Sequence, residues 1–500
     1  MYVLGIDTGT QSTKTLVFDL EKATVIAEAT QAYGMIEDLP EGHREQDPAL
    51  WIKAVDSTVR DCLRQIGLEK TARVSAIGVS GQQHGLVVLD QENRIIRPAK
   101  LWSDTSTTEQ CDEIARAFGG NPGLIELAGN PIQPGYTAPK ILWLKQNEPQ
   151  NFQRIATVLL PHDFINYWLT GVKRMEPGDA SGTGLFDIRK RQWCSELIDF
   201  IDEGLHHALP PIGSSGDMLG SIRPELADAW GLSHQVLISA GGGDNMMSAI
   251  GTGNIGGGKV TVSLGTSGTV FAATEKPIID PQGEVAAFCD STDKWLPLVC
   301  TMNATVVTET VRQQYGWDHE QMEREASSVP AGSDGLLMLP YLQGERTPSL
   351  PEGCGIIHGL TTDNFTPAHM MRAAIEGVSL TLGYGMMRLT ELGVEPEEIR
   401  ITGGGASSGL WRQMIADVTG IPVVALKNNE GAALGAALQA AVGFFRHSGE
   451  DLTYEELVAY AVQPDEASFC EPVPEHHRLY QDLLARQQYL VDTLHTPGFI

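Results

Sequence analysis

A repeated hairpin pattern constrains the fold more than any other feature of this chain. Residues 3–18 read VLGIDTGTQSTKTLVF and residues 259–273 read KVTVSLGTSGTVFAA, so Gly265-Thr266 aligns with Gly9-Thr10, 256 positions apart. Each copy runs from an apolar strand through a loop of glycine and hydroxyl residues into a second apolar strand, which is the pattern of a β-hairpin. A repeat at this distance predicts a duplicated α/β unit and therefore two similar domains.

The loops of the two hairpins carry residues suited to phosphate. Backbone N–H groups and hydroxyls that face one way form an anion-binding concavity. These loops supply Gly9, Thr10, Ser12, Thr13, Gly265, Thr266 and Ser267. Only the first copy has a carboxylate, since Asp7 aligns with Ser263. Magnesium prefers a few carboxylates together with phosphates and water, so the pattern indicates a nucleotide whose Mg²⁺ is held from the side of Asp7. Two plain polar hairpins remain the alternative.

Composition and charge exclude several classes of partner. The 500 residues carry a formal net charge of -28, which disfavours nucleic acid and anionic membrane surfaces. Seven cysteines are scattered without CxxC spacing, as expected in a reducing compartment. The N-terminus shows no secretory signal, and the longest weakly polar run, 432–445, is too short to span a bilayer. We therefore expect a cytoplasmic protein with neither a membrane nor a nucleic-acid partner.

The stretch 236–251, VLISAGGGDNMMSAIG, places an acid where an α/β sheet usually binds its ligands. A short apolar strand ends in three glycines, then Asp244 and Asn245 open a segment able to form a helix. Ligands of open α/β sheets bind at such strand-to-helix junctions. Asp is also a common helix N-cap. The local pattern therefore leaves two roles open for Asp244, a capping residue or a functional carboxylate.

Two further loops follow predicted strands and carry candidate site residues. The loop SGQQHG at 80–85 offers Gln83 and His84, whose donors and acceptors suit the hydroxyls of a polyol, although a structural histidine is equally consistent with the pattern. Gly403, Gly404 and Gly405 follow the strand 399–402 and would let a purine or a phosphate approach the backbone closely. Asp179, in another polar loop, is interpreted as a turn residue.

One glycine pattern does not fit the chemistry that it suggests. Gly251, Gly253 and Gly256 spell GxGxxG, but the dinucleotide fingerprint needs a strand before it and a helix after it. Here the predicted helix precedes the glycines and a predicted strand follows. We therefore expect no Rossmann site.

Taken together, five ordered motifs resemble those of the FGGY carbohydrate kinases. They are the hairpin 5–19, SGQQHG at 80–85, GGGDN at 241–245, SLGTSG at 263–268 and ITGGG at 401–405. The resemblance covers nearly the whole chain. It implies an α/β protein with two duplicated ribonuclease H-like domains of the actin/hexokinase type around a central cleft. The implied division is a sugar-binding domain at 1–243 and an ATP-binding domain at 244–500.

The resemblance also implies a role for each candidate residue. Asp244 would be the general base, Asp7 would organise Mg²⁺, and Gln83, His84 and Asn245 would bind sugar hydroxyls, as Asp244 itself would. The loops Gly9–Thr13 and Gly265–Gly268 would bind the phosphates of ATP, and Gly403 to Gly405 would contact the adenosine. With these roles, Asp244 is interpreted as the base rather than only a cap.

The resemblance leaves the acceptor and the assembly open. A ketopentose is expected, D-xylulose first, with ribulose, gluconate and arabinitol as alternatives. Glycerol kinases usually have Arg-Glu where this chain has Gln83-His84, so glycerol is not expected. The segment 102–105, WSDT, lacks an arginine that bacterial members often have, which leaves the exact pentulose undecided. A homodimer is possible. The alternative from another class is an actin-like or Hsp70-like ATPase.

Overall fold

The computed structural model describes residues 1–428, 430–496 and 498–500, and its core is two large β-sheets that share the order of five equivalent strands. In the first sheet the order is β11-β12-β5-β1-β2-β3, and β13 extends it beside β5. In the second sheet the order is β16-β17-β15-β14-β20-β21. Pairs of short strands form four small sheets, β4-β7, β6-β8, β9-β10 and β18-β19.

The strands have the following bounds: β1 Tyr2–Thr8, β2 Ser12–Asp19, β3 Thr24–Ala32, β4 Glu45–Gln46, β5 Val74–Gly81, β6 Val87–Leu89, β7 Ala99–Lys100, β8 Thr157–Leu159, β9 Phe186–Asp187, β10 Gln192–Trp193, β11 Met218–Ser221, β12 Leu237–Ser239, β13 Gly242–Gly243, β14 Lys259–Leu264, β15 Gly268–Phe271, β16 Ala286–Cys289, β17 Trp295–Thr301, β18 Leu337–Pro340, β19 Gly355–His358, β20 Glu398–Thr402 and β21 Val423–Ala425.

The α-helices have the following bounds: α1 Pro48–Ile66, α2 Leu68–Thr71, α3 Thr108–Ala117, α4 Gly120–Ala128, α5 Thr137–Asn147, α6 Pro149–Phe152, α7 Pro161–Thr170, α8 Pro177–Ala180, α9 Ser195–Ile201, α10 Leu205–Ala208, α11 Pro224–Trp230, α12 Asp244–Thr252, α13 Thr305–Gln314, α14 His319–Ser327, α15 Pro367–Glu391, α16 Gly409–Thr419, α17 Gly431–His447, α18 Tyr454–Ala461 and α19 Pro474–His495. Short 3₁₀ turns lie at Ser333–Gly335, Gly404–Ser407 and Glu466–Ser468. In the part of the chain that these elements describe, no helix is long and apolar enough to cross a lipid bilayer.

The duplication predicted from the repeated hairpins is present in the two sheets. Strands β1, β2 and β3 run antiparallel to one another, and β5 and then β12 follow in parallel on the other side of β1. Strands β14, β15 and β17 repeat the antiparallel half, and β20 and β21 repeat the parallel half. The predicted fold class, two duplicated ribonuclease H-like units, is therefore confirmed.

Strand β1 shows how the sequence directs each side chain to one of two cores. Alternate residues of a strand face opposite sides of the sheet. Leu4 and Ile6 therefore pack on the side of α1, where Val55 and Val59 belong to the same buried cluster. Val3 belongs to the cluster on the opposite face, together with the Ala-rich helix α17. Helix α1 begins as its sequence predicts, with Pro48 in its first turn and the Asp47 carboxylate accepting a hydrogen bond from Ala49 N at 2.9 Å.

Helix α17 follows the last strand of the second sheet but packs on the first. A Cβ atom at Gly5 would lie 1.8 Å from the Ala433 carbonyl oxygen, and one at Gly78 would lie 1.9 Å from that of Ala436. Only glycine in β1 and β5 permits this approach. Helix α12 lies on the other side of α17, and the approach is as close there, since a Cβ at Gly435 would lie 1.7 Å from the Met247 carbonyl oxygen.

Helix α12 in turn packs toward the second sheet. Its buried residues Met246 and Ile250 share a cluster with Phe271 of β15 and Leu298 of β17. The two central helices therefore lie face to face between the sheets, and each covers the sheet opposite to the one it follows. Because α12 precedes Gly253 and Gly256 and strand β14 comes after them, the GxGxxG pattern lacks the strand and helix order of a dinucleotide site, as predicted.

Candidate active site

A cavity of about 200 Å³ lies between the two halves of the chain. The first half contributes Gln83, His84, Trp102 and Tyr136, and the second half contributes Asp244, Asn245, Gly265, Ser267, Phe288 and Arg346, among others. The predicted sugar-binding residues therefore all line one cavity. Two residues of the second phosphate loop open into the same space.

Asp244 lies at the first position of α12, where the chain enters the cavity. Gly243 occupies the N-cap position, so Asp244 is not the capping residue that its local sequence also allowed. Its Oδ1 accepts hydrogen bonds from Asn245 N at 2.8 Å and from Asn245 Nδ2 at 3.1 Å. Burial raises the pKa of Asp244 to about 8, and the negative charges of Asp7 and Asp179 add to that rise. A carboxyl group with a pKa near neutrality can accept a proton in catalysis.

Asn245 connects the two walls of the cavity beside this carboxylate. Its Nδ2 donates to Gln83 Oε1 at 2.8 Å, and its Oδ1 accepts from Thr269 Oγ1 of β15 at 3.3 Å. Gln83 follows β5 of the first sheet, and Thr269 belongs to the second. The Asn245 amide therefore connects residues from both sheets beside the Asp244 carboxylate.

His84 is a buried, neutral residue in a strained backbone conformation. Its φ is 62°, in the left-handed region that non-glycine residues rarely adopt. The buried Lys140 holds that conformation, because its Nζ donates to the carbonyl oxygens of His84 at 2.8 Å and Gly135 at 2.6 Å. Burial lowers the pKa of His84 well below its ordinary value, and the charges of Lys140 and Arg346 lower it further. A neutral imidazole can both donate to and accept from sugar hydroxyls.

The second hairpin loop presents backbone N–H groups while its carbonyl groups are occupied. Thr305 N and Oγ1 both donate to Gly265 O, at 3.0 and 2.8 Å, and Ala304 N donates to Thr266 O at 3.1 Å. Within the described ranges, the N–H groups of Gly265, Thr266 and Ser267 donate to no protein acceptor. Free N–H groups at a hairpin end bind phosphate.

The first hairpin loop is built in the same way. Tyr33 OH donates to Gly9 O at 2.7 Å, and Gln46 Nε2 donates to Thr10 O at 2.6 Å. The N–H groups of Thr10 and Gln11 make no hydrogen bond to another residue that the structure describes. The Thr10 hydroxyl accepts from Trp102 Nε1 at 3.0 Å and donates to Gln82 Oε1 at 3.0 Å. This loop therefore also offers its N–H groups to an anion.

Two predicted residues of this hairpin, Ser12 and Thr13, differ in exposure. Thr13 is fully buried, and its hydroxyl lies 3.2 Å from both Thr8 Oγ1 and Tyr33 OH. The side chain of Ser12 is partly exposed. The phosphate contacts of both residues stay predictions.

Asp7 lies where a divalent cation would be useful. Its Oδ1 accepts a hydrogen bond from Ser80 Oγ at 2.8 Å. Burial raises the pKa of Asp7 to about 6 against the opposing effect of Ser80, and the charge of Glu430 adds to the rise. The negative charge of Asp7 also contributes to the raised pKa of Asp244, so a cation beside Asp7 would offset that repulsion. The donor set fits Mg²⁺ bound together with phosphate oxygens.

The glycine run after β20 lies against the second phosphate loop. A Cβ at Gly403 would lie 2.6 Å from Leu264 O, and one at Gly405 would lie 2.9 Å from Leu264 Cβ. Among the residues that the structure describes, no heavy atom lies within 4 Å of a Cβ built at Gly404. The structure therefore brings two distant predicted nucleotide segments together, with Leu264 directly before Gly265.

Sequence reasoning missed two residues of the site. Asp179 was interpreted as a turn residue, and it does lie in the single turn α8, but its carboxylate is fully buried and bonds to His162 Nδ1 at 2.8 Å. Arg346 lines the cavity from the second half. Neither residue lies in a motif with a local signal, because distant segments create both environments.

A cluster of His43, Glu45 and Asp104 could hold a metal by its atoms alone. The ammonium group of the fully buried Lys100 occupies that position, 3.1 Å from Asp104 Oδ2 and 3.4 Å from Glu45 Oε1. The two carboxylates of the cluster therefore neutralise the charge of the buried Lys100. It also gives Asp104 of the WSDT segment a structural role.

Known proteins resemble this chain along most of its length. Residues 2–251 match the N-terminal domain, and residues 260–444 the C-terminal domain, of the FGGY family of carbohydrate kinases. A xylulose kinase of Haemophilus influenzae is 43% identical over 445 residues, which cover 88% of this chain and 90% of that protein.

Two solved structures superpose closely. A xyloylose kinase from Brucella ovis has a TM-score of 0.91 and 31% identity, with all of both chains covered. A gluconate kinase from Lactobacillus acidophilus has a TM-score of 0.90 and 26% identity, and covers 99% of this chain and 98% of that one. Because the two domain models match residues 2–251 and 260–444 in order, and a relative 43% identical covers most of the chain, the chain belongs to the FGGY family of carbohydrate kinases.

Proposed function

We propose that this carbohydrate kinase transfers the γ-phosphoryl group of ATP to a ketopentose, D-xylulose, with Asp244 as the general base. The observation that carries the proposal is the position of Asp244, a buried carboxyl group with a pKa of about 8 in the cavity that Gln83, His84 and Asn245 line. The similarity to named xylulose kinases, up to 43% identity over most of the chain, supports the acceptor.

The proposed chemistry needs positioning more than covalent help from the protein. The acceptor hydroxyl lies within hydrogen-bond reach of Asp244, which takes its proton as the bond from oxygen to the γ-phosphorus forms and the bond to ADP breaks. The free N–H groups of the two hairpin loops hold the phosphates. Asp7 would hold Mg²⁺, which neutralises charge on the phosphates during transfer.

The two halves of the chain have separate tasks in this proposal. Residues 1–243 supply Gln83 and His84 to the sugar, and residues 244–500 supply the base, Asn245 and the contacts of Gly403 to Gly405 with adenosine. Asn245 connects the two halves, since it hydrogen-bonds to Gln83 of the first half and to Thr269 of the second. The cytoplasmic location and the homodimer expected from the sequence stay predictions.

A sugar acid is the second candidate acceptor, and Arg346 favours it. Arg346 lines the cavity, whereas the adjacent Glu345 accepts from Met302 N at 2.6 Å and Asn303 Nδ2 at 3.1 Å. An arginine in a cavity suits a carboxylate of the substrate. The similarity to a gluconate kinase is consistent with this alternative.

A coupled assay of ADP release over D-xylulose, D-ribulose, D-arabinitol, D-gluconate and glycerol tests the acceptor. We expect the highest kcat/KM with D-xylulose and no turnover of glycerol. Turnover of gluconate above that of D-xylulose would replace the first acceptor with the second. In that case Arg346→Gln should reduce kcat/KM for gluconate far more than for any neutral sugar.

The Asp244→Asn variant tests the base. Loss of a general base lowers the rate by about 10²–10⁴-fold, while binding of ATP, measured by calorimetry, should stay near that of the wild type. If the variant phosphorylates sugar at the wild-type rate, Asp244 is not the base.

A further inference from the structure

A buried polar network lies directly behind the base. His162 Nδ1 bonds to Asp179 Oδ2 at 2.8 Å, and His162 Nε2 lies 2.9 Å from Asp163 Oδ1. These three side chains are at most 2% exposed. Burial alone would lower the pKa of His162, but the two carboxylates raise it well above its ordinary value. The two carboxylates on either side of the ring therefore favour its protonated form.

Two of the three glycines before Asp244 lie against this network. A Cβ at Gly241 would lie 2.4 Å from the Val79 carbonyl oxygen and 3.2 Å from His162 Cδ2. One at Gly243 would lie 2.7 Å from Gln83 Cγ and 3.2 Å from Asp179 Oδ1. A side chain at Gly243 would displace Gln83, so this glycine meets a packing requirement as well as a turn.

Gln83 links the network to the base. Asp179 Oδ1 and Gln83 Nε2 are both buried, and neither has a partner in hydrogen-bond geometry among the described residues. A Cβ at Gly243 would contact both side chains. Burial raises the pKa of Asp179, and the Gln83 amide opposes that rise. With its Nε2 toward Asp179, Gln83 turns Oε1 toward Asn245 Nδ2 at 2.8 Å, and Asn245 Nδ2 lies 3.1 Å from Asp244 Oδ1.

We propose that Asp179, held by His162, is a positioning residue for phosphoryl transfer that fixes the orientation of the Gln83 amide and, through Asn245, the Asp244 carboxylate. A carboxylate is needed at 179 because it only accepts hydrogen bonds. It therefore selects the amide orientation of Gln83 in which nitrogen faces Asp179 and oxygen faces Asn245. The inference rests on the proposed role of Asp244 as the base.

We call the series of contacts from Asp179 through Gln83 and Asn245 to Asp244 the relay. A double-mutant cycle at positions 179 and 83 tests it directly. In Asp179→Asn, the Asn oxygen keeps the bond to His162 and its NH₂ group faces Gln83, so the Gln83 amide has to turn round and present a donor to Asn245. In Gln83→Glu, two carboxylates face each other. In the double variant, the new carboxylate at 83 accepts from both amides, which restores the pattern of donors and acceptors.

We expect each single variant to lower kcat/KM for the acceptor sugar at least tenfold. The added Asp179→Asn change should then raise kcat/KM of the Gln83→Glu enzyme, so its effect changes sign with the background. Asp290→Asn, at another buried carboxylate that binds the backbone of its own turn, serves as the matched control and should change kcat/KM less than threefold. Equal fractional losses from Asp179→Asn in both backgrounds would overturn the relay.

A pH profile gives a readout that a purely structural role would not move. The ionisable groups that face the two carboxylates are Asp7, Cys300, His162, Asp163 and Glu176. Besides burial and Asp7, the Asp179 charge raises the pKa of Asp244, so Asp179→Asn should move the acid limb of kcat/KM to lower pH. An unmoved limb together with additive losses would exclude both parts of the role.

Failure of the relay and failure of the base give different results. If Asp244 is not the base, Asp244→Asn retains activity whatever the cycle shows. If Asp244 is the base but the relay is wrong, Asp244→Asn is inactive and the two single variants combine additively. The cycle uses whichever acceptor the assay of sugars identifies, so it does not depend on D-xylulose.

Discussion

Replacing Gly435 by alanine tests the close approach of the two central helices. The new Cβ would lie 1.7 Å from the Met247 carbonyl oxygen. Since non-bonded carbon and oxygen atoms approach to roughly 3.2 Å, α12 and α17 would have to separate by roughly 1.5 Å. Overpacking of this kind costs about 1–3 kcal/mol, whereas the same change at a free helical position gains about 1 kcal/mol. The contact therefore reverses the usual sign of the substitution.

The expected result is a less stable and less active enzyme. A net loss of about 1–2 kcal/mol lowers the melting temperature by roughly 2–8 °C for domains of this size. Because α12 begins with Asp244, its displacement should also reduce kcat by up to about 10²-fold. Calorimetry and steady-state kinetics measure the two effects.

Gly34→Ala is the matched control, since no heavy atom lies within 4 Å of a Cβ at Gly34. It should melt within about 1 °C of the wild type, as surface substitutions usually do. A Gly435→Ala protein that melts at or above the wild-type temperature would refute the packing argument.

Three more predictions follow from the site and the core. Lys140→Met should raise KM for the sugar about tenfold and leave KM for ATP unchanged, because it removes the hydrogen bonds to the carbonyl oxygens of His84 and Gly135. Lys145→Met on the same helix, at a half-exposed position, should change neither KM value. Equal kinetics for the two variants would contradict the role of Lys140. Glu376→Gln should lower the free energy of unfolding by about 3–5 kcal/mol, since Glu376 Oε1 is the buried partner of Arg372 Nε at 2.7 Å. Denaturant titration measures this loss. The control is Asp61→Asn, which breaks the exposed pair of Arg64 and Asp61 and should lower the free energy of unfolding by under about 1 kcal/mol. The acid limb of kcat/KM for the sugar should lie well above the ordinary Asp pKa of about 3.9, because burial raises the pKa of Asp244 and the base must be ionised to act; a profile that is flat between about pH 5 and 8 would count against this base.

Sequence patterns predicted those features of the fold that depend on residues close together in the chain. The repeated hairpins predicted two similar units, and the structure has them. The pair Asp47-Pro48 is typical of a helix start, and the Ala-rich run from 431 favours a helix; the structure has α1 and α17 there. The place of α17 on the first sheet was not predictable, because that depends on glycines in β1 and β5, far away in the sequence.

The site divides in the same way. Gln83, His84 and Asn245 lie in loops whose residue types indicate sugar hydroxyls, and the structure places all three on one cavity. His162 and Asp179 carry no such signal, since a lone histidine and a lone acid occur in most helices and turns. Their role depends on the contact between His162 and Asp179, which are 17 residues apart in the sequence. A third segment, which begins at Gly241, packs on that contact.

The crossed position of α17 has a consequence for synthesis on the ribosome. Helix α17 packs on the face of the first sheet that Gly5 and Gly78 form, and it emerges about 190 residues after β13 closes that sheet. At roughly 5–20 residues per second, this interval lasts about 10–40 s. During that time the nascent first half exposes an apolar face, so chaperones should engage the chain until its last quarter has been translated.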